Sequence, residues 1–292
     1  MTTVAGAAVV VGVDGPPRSS EAVEIAAAEA ALRHRPLRIV HALHGPCLPV
    51  PLPYEVGRIV PGEVQAQARC WLAEAAEVAA KVAPEVPATT ELLTGWPADV
   101  LTRESRRAGL MVVGERGTGG LLVGSVAIHL AAHAACPVLV ARGEPRGAGP
   151  VVAGVDGSAS SVAALEFAFE EASLRAVPLV AVHAWSGDDW TELTSELPVP
   201  VEFWSGDAQE RRVLAEALAG SAERHPDVPV RRQVVRGHAG ALLSEWSRVA
   251  QLVVVGDGAA AGPALGRVSR HLIFHADCPT TVVRGRSAVA VA

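Results

Sequence analysis

The feature that most constrains this chain of 292 residues is an internal repeat. Asp14 has a counterpart in Asp156, 142 positions later, and the same offset relates several short motifs along the chain. The pairs are Val10–Gly15 with Val152–Gly157, Val40–Ala42 with Val182–Ala184, Gly95 with Gly237, Val112–Gly114 with Val254–Gly256, and His133–Pro137 with His275–Pro279. An offset that stays constant over the whole length predicts two complete copies of one domain, because a chance similarity would not hold its register.

The repeat predicts two domains, which we place at residues 1–144 and 150–292. A stretch rich in glycine and proline, Gly143–Pro150, shows no apolar periodicity and is predicted to link them. Each copy therefore has to build its own hydrophobic core.

Within each copy, strand signals alternate with helix signals. Ala7–Val13 is a continuous apolar run, typical of a parallel strand buried on both faces. Apolar residues at helical spacing from Val23 to Ala30 then predict a helix, capped by Ser19 or Ser20. Further strands are predicted at Leu37–Ala42, Thr89–Leu93, Leu110–Val113 and Val138–Ala141, and helices at Glu63–Val82, Ala98–Ala108 and Gly124–Ala135. Five strands with crossover helices predict an α/β protein with two tandem, doubly wound, parallel five-stranded sheets.

Charge and composition exclude several classes of protein. The formal net charge is −6 and no basic stripe is present, so nucleic acid is not an expected partner. Lys81 is the only lysine, which excludes a Walker A loop. No apolar stretch reaches the ~18 residues that a membrane span needs. Four cysteines without close pairing fit reduced thiols, and we therefore expect a cytoplasmic protein.

A glycine-rich segment, Gly114–Ser125, follows the fourth predicted strand. In a doubly wound sheet, ligands bind beyond the carboxyl ends of the strands, where the strand order reverses. Glycine lets main-chain N–H groups turn towards an anion, and the helix start at Gly124 adds further donors. This chemistry suits phosphate binding. A tight strand-to-helix turn that uses glycine only for its backbone freedom is the alternative interpretation.

Taken together, these motifs resemble the universal stress protein family, as a tandem member that carries the domain twice over nearly all of its length. The matching pieces include Val-Asp-Gly, Val-His-Ala, Val-Val-Gly-x-Arg-Gly, the Gly-Ser helix start and the closing His-Ala-x-Cys-Pro. The resemblance implies a Rossmann-like fold of the adenine-nucleotide alpha hydrolase type, with ATP or a related adenine nucleotide as the ligand. The nucleotide residues that it implies in the first copy are Asp14, Ala42, Gly114, Gly117, Gly124 and Ser125.

The resemblance also implies a role for each of these residues. Asp14 lies by the nucleoside, the backbone at Ala42 meets the adenine, and the glycine-rich segment holds the ribose and phosphates. Family members that bind ATP follow Gly-x2-Gly-x9-Gly-Ser, whereas only six residues separate Gly117 from Gly124 here. The phosphate loop of this chain is therefore three residues shorter than that pattern.

The second copy departs further from the family pattern. The nucleotide positions that it retains are Asp156, Ala184, Gly256 and Gly266. Ala259 replaces the second glycine, which strains any backbone that needs a positive φ, and Arg267 replaces the serine. We therefore expect nucleotide binding mainly in the first copy.

Other patterns have a plain structural interpretation. The pairs His129/His133 and His271/His275 have a spacing that zinc sites use, but the sequence offers no third ligand and we favour structural histidines. Cys136, just before an apolar strand, is interpreted as a small buried hydrophobe.

No pair of base and nucleophile, no metal cluster and no acid pair is evident in the sequence. We expect a cytoplasmic stress-response regulatory protein that binds ATP without efficient catalysis. Two alternatives stay open: a nucleotide-free dimeric scaffold of the same family and, less favoured, a slow ATPase or adenylating enzyme. The last strands, Val138–Ala141 and Thr280–Val283, are predicted sheet edges. We therefore expect the two copies to pair, and a homodimer to form through such a strand, as the resemblance implies.

Overall fold

The computed structural model describes residues 7–15, 18–43, 62–115, 124–143, 147–185, 206–258 and 264–285. The chain divides into two compact units, Met1–Arg142 and Gly143–Ala292. None of the helices in these ranges combines the length and the apolar composition needed to cross a bilayer.

The two units contain the same alternation of strands and helices. The strands of the first unit are β1 (Ala8–Val13), β2 (Leu37–Leu43), β3 (Ala88–Thr94), β4 (Ala108–Gly114) and β5 (Val138–Ala141). Its helices are α1 (Arg18–Leu32), α2 (Gly62–Val82), α3 (Pro97–Glu104) and α4 (Ser125–His133). The strands of the second unit are β6 (Val151–Gly154), β7 (Leu179–Trp185), β8 (Val230–Arg236), β9 (Leu252–Gly256) and β10 (Thr280–Val283). Its helices are α5 (Ala159–Leu174), α6 (Gly206–Arg224), α7 (Ala239–Ser247) and α8 (Arg267–His275).

The sheet of each unit is parallel and doubly wound. The strand order is β3-β2-β1-β4-β5 in the first unit and β8-β7-β6-β9-β10 in the second. The chain runs outward from β1 to β3 and then returns to the other side of β1, so the order reverses between β1 and β4. The same reversal lies between β6 and β9. The fold class predicted from the sequence is thereby confirmed in both units.

Small aliphatic side chains build the core of the first unit. Val9, Val10 and Val11 of β1 are almost completely buried, as expected of a strand covered on both faces. On α1 the buried residues include Ala22 and Ala26, and this helix contacts β1 and β4. The small alanine side chains let the helix approach the sheet closely, which explains why so few aromatic residues suffice.

One ion pair occurs at the same helix position in both units. Glu29 and Arg33 form it at the end of α1, and Glu171 and Arg175 form it at the end of α5. Glu171 is almost completely buried, and its arginine partner is largely buried. Both charges are thus removed from water, which requires that they stay paired.

The boundary between α3 and β4 differs from the prediction. The helix ends at Glu104, a 3₁₀ turn covers Ser105–Arg107, and β4 begins at Ala108 rather than Leu110. The hydroxyl of Ser105 donates to the carbonyl of Thr102 and accepts from the N–H of Ala135. This buried serine ends the helix early because it satisfies the main chain of two separate segments.

The predicted cap of α1 was wrong. The helix begins at Arg18, so Ser19 and Ser20 both lie in its first turn. The side chain of Ser19 turns back to Asp14 instead of closing the helix end. The predicted end of α4 was also two residues too long, because the helix stops at His133.

Candidate functional site

Three of the predicted nucleotide residues of the first unit lie at the carboxyl ends of its strands. Asp14 directly follows β1, Ala42 is the last but one residue of β2, and Gly114 ends β4. The strands β2, β1 and β4 are neighbours, so these residues flank the point where the strand order reverses. This is the position at which open α/β sheets bind their ligands. Gly117 lies outside the described residues.

Helix α4 begins with a backbone geometry that requires glycine. Gly124 has φ 77° and ψ 12°, in the left-handed region, and Ser125 is the first helical residue. Gly124 has no side chain that could cap the helix, and the side chain of Ser125 is exposed. Among the described residues no side chain caps the first N–H groups of α4, which can thus serve as donors for an anion, as at other helix N-termini.

Asp14 is held by a serine five residues further on. The N–H of Asp14 donates to Oγ of Ser19 at 3.0 Å, and the Ser19 hydroxyl lies 2.9 Å from Oδ1 of Asp14. The same hydroxyl lies 2.9 Å from the carbonyl oxygen of Gly15. Main chain and carboxylate of Asp14 are therefore fixed by one side chain, which is itself buried.

A tryptophan on α2 covers the turn after β1. The ring of Trp71 lies edge-on to the ring of His41, with 5.6 Å between their centroids. A Cβ placed on Gly15, which has φ 116°, would be 3.1–3.3 Å from the Trp71 indole. Nδ1–H of His41 donates to the carbonyl of Val13 at 2.8 Å. These contacts join β1, β2 and α2 around Asp14, and a small cavity of about 30 Å³ lies beside Trp71.

A charge pair stands where the glycine-rich segment begins. Glu115 follows β4, Arg142 follows β5, and their side chains form an ion pair. The N–H of Glu115 also donates to the carbonyl of Ala141 at 3.2 Å. The second unit repeats the pair with Asp257 and Arg284, whose Nε and Oδ2 atoms are 3.6 Å apart.

The aspartate of the second unit is held differently. Oδ1 of Asp156 accepts from the N–H of Ser158 at 2.9 Å, within its own turn, and Asp156 is exposed. Partial burial of the carboxyl group opposes ionisation, but the hydrogen bonds from Ser158 and Ser161 outweigh it and lower the pKa of Asp156. Ser158 also caps α5, because its Oγ accepts from the N–H of Ser161.

The histidine of the second unit meets an acid instead of an aromatic ring. Nδ1–H of His183 donates to the carbonyl of Val155 at 2.7 Å, which repeats the contact of its counterpart in the first unit. Nε2 of His183 lies 2.6 Å from Oε2 of Glu210. Because Nδ1 already carries a hydrogen, this second contact is a hydrogen bond only when either Nε2 or Oε2 carries a proton as well. Val213, three residues after Glu210, stands where the first unit has its tryptophan, and a Cβ placed on Gly157 would be 3.2 Å from its side chain.

The ends of the glycine-rich loop of the second unit lie against each other. The N–H of Gly266 donates to the carbonyl of Asp257 at 2.7 Å, and a Cβ placed on Gly258 would be 3.0 Å from Cα of Gly266. Gly266 itself is extended, with φ −62°. The N–H of Gly266, directly before α8, is thus already bonded within the protein. Arg267 is exposed at the start of α8, Ala184 lies on β7 before Trp185, and Ala259 lies outside the described residues.

The histidine pairs stack on their helices. The ring centroids of His129 and His133 are 4.4 Å apart, and those of His271 and His275 are 4.3 Å apart. Burial, and then the neighbouring histidine, lower the pKa values of His129 and His271. Within the described ranges, no three His, Cys, Asp or Glu side chains are grouped so as to hold a metal ion. Burial raises the pKa of the Cys136 thiol to about 12, which suppresses its reactivity.

The universal stress protein family matches the chain twice, at residues 7–142 and 148–284. The chain belongs to this family. A universal stress protein of Mycobacterium tuberculosis (strain CDC 1551 / Oshkosh) is 38% identical to it, and the alignment covers 94% of each chain. The family assignment made from the sequence motifs is therefore confirmed.

Solved universal stress proteins share the fold. One from Archaeoglobus fulgidus DSM 4304 superimposes with a TM-score of 0.71 at 16% identity, over 96% of each chain. Another from Archaeoglobus fulgidus was solved in complex with dAMP, and aligns with 46% of this chain at 27% identity and a TM-score of 0.37.

Sequence reasoning missed several residues around the site of this universal stress protein. Ser19 was interpreted as a helix cap, and nothing in its immediate surroundings pointed to Asp14. The recurring Asp-x4-Ser spacing in both copies was a usable signal. Trp71 and Glu210 come from helices more than 25 residues away from the histidines that they contact, and no local pattern marks them.

Proposed function

We propose that this universal stress protein is a cytoplasmic stress-response regulator that binds an adenine nucleotide, ATP foremost, without efficient catalysis. The observation that carries the proposal is the position of Asp14, Ala42 and Gly114 at the ends of three adjacent parallel strands. Doubly wound sheets bind ligands at this reversal of strand order. The adenine nucleotide as ligand class rests on the motifs that the chain shares with its family.

The start of α4 supports phosphate binding in the first unit. Gly124 in the left-handed conformation leaves the first N–H groups of the helix to a ligand, and Ser125 adds an exposed hydroxyl. A helix N-terminus favours negative charge through its dipole and its unpaired N–H groups. Arg142, held by Glu115 at the end of β5, provides a cation near the start of the same segment.

The second unit fits the role of a nucleotide-free scaffold better. The N–H of Gly266 is bonded to the carbonyl of Asp257, and Glu210 already occupies Nε2 of His183. A phosphate could therefore use the N–H of Gly266 only if its contact with Asp257 were broken. We further propose that the protein forms a homodimer through the last strand of a unit, as its resemblance to the family implies.

Isothermal titration of the whole chain with ATP tests the proposal. We expect one ATP per chain, a loss of binding in Asp14→Ala, and wild-type binding in Asp156→Ala, which changes the matching residue of the second unit. AMP and GTP in parallel titrations measure the selectivity for the phosphates and for the base. A coupled assay for ADP release measures turnover on the same samples.

Each outcome has a defined meaning. Two ATP molecules per chain, or equal losses in the two variants, would contradict the assignment to the first unit. No binding at millimolar ATP would overturn the nucleotide proposal and favour the scaffold alternative. Sustained ADP release that is lost in Asp14→Asn would favour the slow ATPase. Native mass spectrometry reports the number of chains in the assembly and thus tests the homodimer separately.

A further inference from the structure

Ser19 lies in the first turn of α1 and is 8% exposed. Its hydroxyl accepts from the N–H of Asp14 at 3.0 Å and lies 2.9 Å from Oδ1 of the same residue. It also lies 2.9 Å from the carbonyl oxygen of Gly15. A hydroxyl has one hydrogen, so it donates to the carboxylate or to the carbonyl while its oxygen accepts from the N–H. In both arrangements the turn after β1 is tied to the first turn of α1.

This arrangement fixes a carboxylate in space. A carboxylate that is free to rotate loses conformational entropy when it binds a ligand, whereas one that is already held does not. The Trp71 indole covers Gly15 from the other side, and its ring packs against His41. The turn that bears Asp14 is thus confined from α1 and from α2.

The second unit has a serine at the same position within a different set of contacts. The hydroxyl of Ser161 lies 3.0 Å from the carbonyl oxygen of Ser158 and also hydrogen-bonds to the carboxylate of Asp156, so its one hydrogen serves either acceptor. The N–H of Ser158 donates to Oδ1 of Asp156, which is exposed. The two aspartates share the motif Gly-Val-Asp-Gly, but the carboxylate of Asp156 is held by its own turn as well as by the serine.

We propose that Ser19 is the positioning residue that holds the carboxylate of Asp14 ready for the donor groups of a nucleoside. This inference rests on the proposed function, since it assumes that the first unit binds the nucleotide. It adds that the two units differ in affinity because the buried Ser19 orients the first carboxylate, whereas the exposed Asp156 is also bonded to the N–H of Ser158.

The experiment compares ATP affinity in four variants of the full chain. Ser19→Ala removes the hydroxyl, Ser19→Thr keeps it, and Ser19→Cys keeps the volume with a weaker donor. Ser161→Ala is the matched control in the second unit. We expect a loss of affinity of about tenfold for Ser19→Ala, as for a lost hydrogen bond to a charged group. We expect an intermediate loss for Ser19→Cys, and affinities within about twofold of wild type for the other two.

Hydrogen exchange provides a readout without nucleotide. The amide of Asp14 is protected by its bond to Ser19, so its exchange should accelerate in Ser19→Ala and stay slow in Ser19→Thr. A melting temperature for each variant shows whether the chain folds, and Ser19→Cys keeps the test open if the alanine variant does not.

The outcomes separate the inference from the proposed function. No ATP binding by the wild-type chain overturns the proposed function, and the inference falls with it. Wild-type binding with unchanged affinity in Ser19→Ala overturns the inference alone. A drop in melting temperature without a change in affinity assigns Ser19 a structural role and also overturns it. Equal losses in Ser19→Ala and Ser161→Ala do the same.

Discussion

Removal of Arg175 should destabilise the second unit strongly, because it takes the cation of an ion pair away from a buried carboxylate. The side chain of Glu171 is 1% exposed and that of Arg175 is 11% exposed. Breaking a buried ion pair from one side costs about 3–5 kcal/mol. Since the arginine lies at the end of α5, where water can enter, we take the lower end, about 3 kcal/mol. At roughly 2–4 °C per kcal/mol for a unit of this size, Arg175→Ala should lower the melting temperature by roughly 6–12 °C.

The chain contains its own control for this prediction. Arg212 and Glu216 form an ion pair with the same helical spacing on α6, but their side chains are 73% and 64% exposed. Water screens exposed pairs of this kind, so Arg212→Ala should change the melting temperature by roughly 2 °C at most. The two variants remove the same side chain from the same unit and differ in burial.

Differential scanning calorimetry of the full chain is the assay. Two units need not unfold together, so hydrogen exchange of peptides from α5 should show that the loss lies in the second unit. A shift for Arg175→Ala no larger than that for Arg212→Ala would refute the reasoning. It would mean that water or another group replaces the arginine at no cost.

Three further outcomes follow from the geometry. In the folded protein, iodoacetamide at pH 8 should label the exposed Cys70 and spare Cys136, whose pKa is raised to about 12. The neutral Cys136 thiol contributes its full stability below pH 9.0, and this contribution decreases as the pH rises towards 12. High pH should therefore make Cys136 accessible to the reagent, which peptide mapping would show. Ser158→Ala removes the side-chain hydrogen bond to Asp156 and keeps the one from the main-chain N–H, so it should raise the pKa of Asp156 part of the way towards its ordinary value. An unchanged carboxyl ¹³C titration would contradict the role given to the Ser158 side chain. Gly124→Ala should cost about 1–2 kcal/mol, because alanine is strained at φ 77°, and an unchanged melting temperature would argue against the left-handed start of α4.

The fold could be predicted from the sequence because the patterns that indicate its strands and helices are local or periodic. The run of β1 is apolar throughout, so its burial on both faces follows from composition alone. The motif positions Asp14 and Gly114 follow predicted parallel strands, whose carboxyl ends all lie at the same end of the sheet. Their convergence on one sheet edge could therefore be predicted without any knowledge of side-chain contacts.

The side-chain environment of the site could not be predicted in this way. Two copies with the same Val-His-Ala motif place their histidines against different groups, Trp71 in one and Glu210 in the other. Both partners come from a helix that follows a long connection, and the register of that helix is set by packing. Likewise, serine is a residue type that often caps helices, and only the contact of Ser19 with Asp14 in the structure shows that it has another role.

The groups that contact the two histidines differ between the units, and the arrangement of one unit cannot be changed into that of the other by a single substitution. In the first unit Ala68, completely buried, stands at the position of Glu210, and Trp71 stands at that of Val213. Introducing Glu at position 68 alone would bury a carboxylate next to an indole, and removing the indole alone would leave a cavity. The two positions are therefore epistatic, since each residue is favourable only with its own partner. Once one of the two pairs is present, a single substitution towards the other pair is unfavourable. The duplicate domains could therefore diverge in function while their sheets stayed the same.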